Sequence, residues 1–217
     1  MRLLDLFCGA GGAAVGYHRA GFDEIVGVDI KPQKRYPFQF VQADALEFCA
    51  SFGAGFDAIH ASPPCQFYSI SITHRYPEKR IEFQDLLPVT RETLHRVGRP
   101  WVIENVPGSP MRPDVVLCGS QFNLSIVRHR LFESNTNIFS LRPSCAHAAL
   151  VISAYGDGTP SWLRRQRKAL GLRPDQTIRE MSDGMGIYWM VRAELCQAIP
   201  PMYTEFIGHQ LLEALRP

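Results

Sequence analysis

Leu3-Leu4-Asp5-Leu6-Phe7-Cys8-Gly9-Ala10-Gly11-Gly12-Ala13-Ala14 is the stretch that decides the fold. Leu3, Leu4, Leu6 and Phe7 form a short apolar run, the pattern of a parallel strand buried on both faces. Glycines at 9, 11 and 12 break it, and helix-compatible residues then run to Ala20 before Gly21 stops them. Ile25 to Val28 reads as a second strand closing on Asp29, so the chain opens as a βαβ unit. Further strands are expected at 41–43, 57–61, 101–106, 115–118 and 130–133, with a helix over 81–97. Residues 150–154 read as another strand, 162–170 as a basic helix and 203–215 as a final amphipathic helix. The expected architecture is α/β, a doubly wound Rossmann-like sheet with a small insert near the C-terminus.

The 217 residues, 46% hydrophobic and 20% charged, suit one such domain and exclude disorder, collagen and coiled coil. Twenty-three basic against 21 acidic side chains speak against a nonspecific polyanion binder but allow a local basic face. No run of about 18 apolar residues occurs, so no membrane partner is expected. Met1 leads almost directly into the first strand without a basic n-region, so the expectation is a cytoplasmic protein without a signal peptide. The cysteines at 8, 49, 65, 118, 145 and 196 include no C-x-x-C pair and are expected to stay reduced. Cys145 and His147 make half of a zinc set with no second pair following, so no metal is expected.

The glycine turn fits G-x-G-x-x-A, with Asp29 twenty residues beyond Gly9. Glycines let the backbone approach a ligand that a Cβ would exclude, and the acid suits ribose hydroxyls. Asp44, after the third strand, is placed for an adenine edge. This supports a nucleoside cofactor and leaves nicotinamide dinucleotides and S-adenosylmethionine both open. Ser62-Pro63-Pro64-Cys65-Gln66 follows the fourth strand, where open α/β sheets bind substrates. Two prolines make a stiff platform that presents Cys65 as a nucleophile. Glu104 closes the fifth strand behind Trp101-Val102-Ile103, in dry surroundings suited to proton donation. Arg128-His129-Arg130 reads as alternating along a strand, aiming both guanidiniums at one anionic or carbonyl-rich ligand.

The ordered set Asp5 to Gly12, Val26 to Asp29, Ala43-Asp44-Ala45, Ser62 to Gln66, Glu104-Asn105-Val106 and Arg128 to Arg130 resembles the cytosine-5 DNA methyltransferases, most of all their compact phage-type members. The resemblance covers residues 1–133 and returns at Ala198-Ile199-Pro200-Pro201 and Ile207-Gly208. It implies an enzyme that moves a methyl group from S-adenosylmethionine to C5 of cytosine. Cys65 would attack C6, Glu104 would hold the N3 and amino edge, Arg130 would contact O2, and Arg128 would support the Cys65 loop. Phe7, Gly9, Ala10 and Gly11 would lie against the cofactor, with Asp29 and Ile30 at ribose and adenine, Asp44 at the exocyclic amine, and Ala45 and Pro64 completing the pocket. The implied partner is double-stranded DNA with a flipped cytosine, bound by a monomer. Gln66, Ser69 and a loop carrying His74, Arg75, Lys79 and Arg80 would close over it.

The sequence departs from the family pattern at Ile126, where a glutamine is usual, and at Cys196-Gln197, where Gly-Asn is usual. Residues 1–133 are expected as the cofactor and catalytic domain, 134–190 as a small DNA-recognition insert, and 191–217 as a helix returning to the catalytic domain. Arg164, Arg165, Arg167 and Lys168 on the basic helix would contact phosphates. So short an insert implies a short or degenerate target. The alternatives are RNA cytosine methylation and a catalytically silent relative that only binds DNA or cofactor.

Overall fold

The computed structural model describes residues 1–68, 84–147, 152–154 and 159–216. Its strands are β1 (Arg2–Leu6), β2 (Glu24–Asp29), β3 (Gln39–Gln42), β4 (Ala58–Ala61), β5 (Trp101–Asn105), β6 (Val115–Leu117) and β7 (Arg130–Ser134). They form one sheet in the order β3-β2-β1-β4-β5-β7-β6. The first five in space run parallel, and β7 runs antiparallel to both β5 and β6. Helices α1 (Gly12–Ala20), α2 (Ala45–Phe52) and α3 (Leu87–Val97) alternate with the strands. Then come α4 (Ser161–Ala169), α5 (Ile178–Met185), α6 (Arg192–Gln197) and α7 (Pro201–Ala214).

Alternate strand residues feed opposite faces, as the pleat requires. Leu3, Ile25 and Val102 pack with Tyr17, Tyr203 and Ile207 on one side, while Leu4, Val26, Ile59 and Ile103 pack with Cys49 and Leu94 on the other. The sheet is therefore covered on both faces, which explains why its central strands are buried almost throughout. Helices α1 and α7 touch at backbone distance: a Cβ on Gly16 would sit 2.1 Å from the Pro201 carbonyl, and Thr204 Oγ1 donates to Ala13 O at 2.8 Å. A third cluster joins Met181, Met185, Met190 and Leu195 to Ala10 and Ile126, so the late helices pack onto the glycine turn.

The strand order reverses at β1, whose neighbours are β2 and β4. Open α/β sheets leave a crevice at such a point, beyond the carboxyl ends of the strands. The glycine turn leaves β1 there, Ser62 to Cys65 leave β4, and Glu104 and Asn105 close β5. Because β7 runs the other way, its first residues reach the same edge: Leu131 pairs with Asn105 and Phe132 with Glu104. Antiparallel entry is what brings Arg130 to the crevice.

Several expectations need correction. The helix expected over 81–97 begins at Leu87, with Pro88 in its first turn, where a missing N–H costs nothing. Residues 81–83 lie outside the described residues. Arg128 and His129 precede β7, so the two arginines do not alternate along one strand. Of the strand expected at 150–154, the described residues show a single bridge, Ile152 to Ile126. Helices α2, α5 and α6 were not anticipated. Among the described residues no helix is long and apolar enough to cross a membrane.

Candidate active site

The turn after β1 holds three left-handed positions at alternate residues, Phe7 (φ 56°), Gly9 (φ 49°) and Gly11 (φ 83°). A Cβ built on Gly9 meets nothing within 4 Å, so the backbone there faces open space. Asp29 grips this turn from β2: Oδ2 accepts from Gly9 N at 3.1 Å and Oδ1 from Lys31 N at 2.9 Å. Asp44 caps α2, its Oδ1 accepting from Leu46 N and Glu47 N, and it also lines the crevice. The crevice is one cavity of about 380 Å³, within the range of small-molecule sites. Phe7, Gly9, Ala10, Asp29, Ile30, Asp44, Ala45 and Pro64 all line it. Gly11 does not: a Cβ there would strike Pro37 Cδ at 2.6 Å, so this glycine serves the packing of the turn.

The same cavity reaches Cys65, Gln66, Glu104, Arg128 and Arg130. Asn105, which sequence reasoning passed over, ties the two motifs together. Its Nδ2 donates to Pro63 O at 3.1 Å and its Oδ1 accepts from Val106 N at 2.8 Å. Cys65 is half-buried rather than fully presented. Burial pushes its thiol up, Glu104 adds to the rise, and Arg130 and Arg128 oppose it. The resting nucleophile is thus the thiol. Glu104 lies in dry surroundings, but it is not alone: Arg130 Nε is 2.7 Å from Oε1, with side-chain exposures of 8% and 6%. Arg130 also donates to His129 O at 2.8 Å.

Arg128 does a different job from Arg130. Its NH1 donates to Ala154 O at 2.8 Å and its NH2 to Cys196 O at 2.7 Å, so it straps the segment of Ala154 to the Cys196 stretch of the crevice wall. Asp5 adds a buried carboxyl to the wall, and buried His60 supports the lining residue Ser62. Asp5 accepts from Tyr36 OH at 3.1 Å, and burial raises its carboxyl to about 7. His60 links Tyr17 OH to Ser62 Oγ, and burial lowers its imidazole to about 3. Further wall residues outside the motifs are Lys31, Gln33, Glu194 and Gln197. Trp189 Nε1 anchors the glycine turn through Ala10 O at 2.8 Å.

The basic helix is only partly available to a ligand. Arg167 is 3% exposed and donates to Arg173 O and Glu180, so it is a structural residue and the expectation of a phosphate contact is corrected. Arg164 pairs with Asp175 at 3.1 Å. Arg165 and Lys168 are exposed. Ser69, His74, Arg75, Lys79 and Arg80 lie outside the described residues. The half set at Cys145 and His147 gains two further potential ligands from upstream in the chain. Cys118 and His129 join Cys145 and His147, with all four ligand atoms within 4.8 Å of one another.

A glycine turn, an acid closing the second strand and a thiol on one edge of a doubly wound sheet mark a Rossmann-like fold with its crevice at the strand ends. Residues 1–108 match the sequence model of the C-5 cytosine-specific DNA methylases, and the chain belongs to that family. It is 35% identical over 75 residues to the Type II methyltransferase M.FnuDI of Fusobacterium nucleatum, covering 32% of this chain and 22% of that protein. It is 29% identical over 120 residues to M.XorII of Xanthomonas oryzae pv. oryzae, covering 48% and 28%. The chain thus spans about a quarter of the curated relatives it matches. The fold is similar to that of S. pombe Dnmt2 methyltransferase, with a TM-score of 0.62 at 16% identity over 100% of this chain and 99% of that one. The cofactor of the family is S-adenosylmethionine. The open backbone at Gly9 and the carboxylate of Asp29 fit the nucleoside part of such a molecule.

Proposed function

We propose that this chain methylates C5 of cytosine in duplex DNA through a covalent Cys65–C6 adduct. The observation that carries the reading is that one cavity joins the Asp29–Gly9 end to Cys65, Glu104 and Arg130. When bound, S-adenosylmethionine supplies an electrophilic methyl group that ends on C5. Phe7, Gly9, Ala10, Asp29, Ile30, Asp44, Ala45 and Pro64 would hold it.

The chain's own residues must make C5 nucleophilic. Cys65 gives up its proton and adds to C6, and the C5–C6 π electrons become available at C5 as N3 is protonated. Glu104 holds N3 and the amino group, while Arg130 turns to the O2 carbonyl and stabilises charge there. Loss of the C5 proton then expels Cys65 as thiolate. Arg128 and Asn105 keep the edge in place without touching the base. Because Cys65 is half-buried and Glu104 almost wholly so, a stacked base cannot reach them. The target cytosine therefore leaves the helix. Residues 1–133 act as the catalytic domain, 191–217 return to it, and 134–190 read a short or degenerate site. Arg165 and Lys168, with Gln66 of the cavity lining, contact the DNA.

Incubation with radiolabelled cofactor and cytosine-containing duplex, followed by nucleoside analysis, is expected to yield 5-methylcytosine. Absence of that product overturns the reading. Label entering transfer RNA in place of duplex would move the substrate to RNA.

A further inference from the structure

Outside the cavity, one side-chain cluster has no part in the reaction. Cys118 follows β6, His129 precedes β7, and Cys145 and His147 come from an irregular segment. His147 Nε2 lies 3.6 Å from Cys118 Sγ, and His129 Nε2 lies 3.4 Å from Cys145 Sγ. The two imidazoles meet edge to face with centroids 5.1 Å apart. We propose that Cys118, His129, Cys145 and His147, brought together from three chain segments, form a tetrahedral structural zinc site.

The geometry argues for zinc in two ways. With Zn–S near 2.3 Å and Zn–N near 2.0–2.1 Å, tetrahedral sulfur–nitrogen edges are about 3.5 Å. The two measured edges, 3.4 and 3.6 Å, bracket that value, and all four donor atoms fall within 4.8 Å of one another. Two thiolates and two imidazoles also select zinc over magnesium or calcium, which want oxygen. Both histidines turn Nε2 inward, which fixes the coordinating nitrogen. Ser120 Oγ, 3.6 Å from Cys118 Sγ, supplies the outer hydrogen bond that metal-bound thiolates commonly accept. Binding releases the thiol protons, leaving a neutral Zn(Cys)₂(His)₂ centre.

The site also answers a structural need. Residues 140–147 carry no regular secondary structure, and Leu141 is 89% exposed. Besides the cluster, the ties described between this segment and the rest of the chain are few: Gln121 Nε2 donates to Pro143 O, and Arg142 donates to the Gln121 backbone carbonyl and lies over the Phe122 and Phe206 rings. A metal provides the anchorage that such a segment lacks in buried apolar surface. It would pin the start of 134–190 to His129, directly beside Arg128 and Arg130. The clip is a property of the fold and does not rest on the methylation reading.

The test is metal analysis of the untagged chain, purified reduced from zinc-supplemented medium. About one zinc per chain is expected, and Cys49→Ala, altering a core thiol on α2, should leave it unchanged. Cys145→Ser and His147→Ala should each lose most of the metal. His147→Cys should retain it, because a thiolate replaces the imidazole as ligand. Cobalt substitution should give the visible bands of tetrahedral thiolate-bound cobalt in wild type and His147→Cys and not in Cys145→Ser. Metal-free wild-type protein, or full metal content in a Cys145→Ser/His147→Ala double variant, overturns the proposal. So does a Cys118–Cys145 disulfide in place of metal.

Discussion

Replacing Glu104 by glutamine keeps the shape of the side chain and removes the charge that faces Arg130 at 2.7 Å. The guanidinium, 6% exposed, is then left without its counter-charge. Breaking a fully buried pair costs about 3–5 kcal/mol. This pair borders the open crevice, and solvent there reduces the penalty to about 2 kcal/mol. For a chain of this size that is a drop in Tm of about 4–8 °C. Activity should fall further than stability accounts for, by at least about a hundredfold, because the acid is also the proton-handling group. The double variant Glu104→Gln/Arg130→Met separates the two effects. Removing the orphaned charge should restore about 1–2 kcal/mol relative to the sum of the single changes, and no activity. The assays are urea unfolding for the stability cycle and single-turnover methyl transfer for the chemistry. A Glu104→Gln protein with wild-type stability and wild-type turnover would refute the assigned role, and strict additivity in the cycle would refute the coupling.

Because Cys65 rests as a thiol with a raised pKa, the single-turnover rate should climb by up to about tenfold per pH unit from pH 6, with no plateau below about pH 8.5. A flat profile over that interval would contradict a resting thiol. Asp5 should make stability fall as pH rises from the ordinary carboxylate range to about 7, because the folded state keeps a proton that the unfolded chain has lost. In urea titrations the advantage of Asp5→Asn over wild type should therefore grow across that window and level off above it; an equal difference at both ends argues against it. Arg165→Ala/Lys168→Ala should weaken DNA binding and lower the salt slope by about one for each phosphate that is no longer neutralised. Arg167→Ala should instead lower Tm, since its partners are Arg173 O and Glu180.

The parallel strands and strand-end motifs of the first 133 residues were legible because local pattern and tertiary role coincide there. A continuous apolar strand can only be buried on both faces, and glycine turns and Pro-Pro-Cys stand at strand ends, where the crevice must be. What escaped was of two kinds. Some local signals went unused: Asp44-Ala45-Leu46-Glu47 and Thr177-Ile178-Arg179-Glu180 both carry an N-capping residue followed by glutamate three places on, and both begin helices. Other features exist only after folding. Arg167 looked free because its acid, Glu180, lies on another helix. The Cys–His cluster looked incomplete because its other half lies upstream of Cys145, split between the ends of β6 and β7. Gly11 fits a cofactor fingerprint, yet the turn needs it against Tyr36 and Pro37.

The central claim is a covalent bond between Cys65 and cytosine C6. It is tested most directly with duplex DNA in which the target cytosine carries fluorine at C5, so that the final elimination cannot occur. With S-adenosylmethionine present, mass spectrometry of digested protein should find the modified base on the peptide containing Cys65 and no adduct in Cys65→Ala. A methylating enzyme that leaves Cys65 unmodified under these conditions would contradict the account.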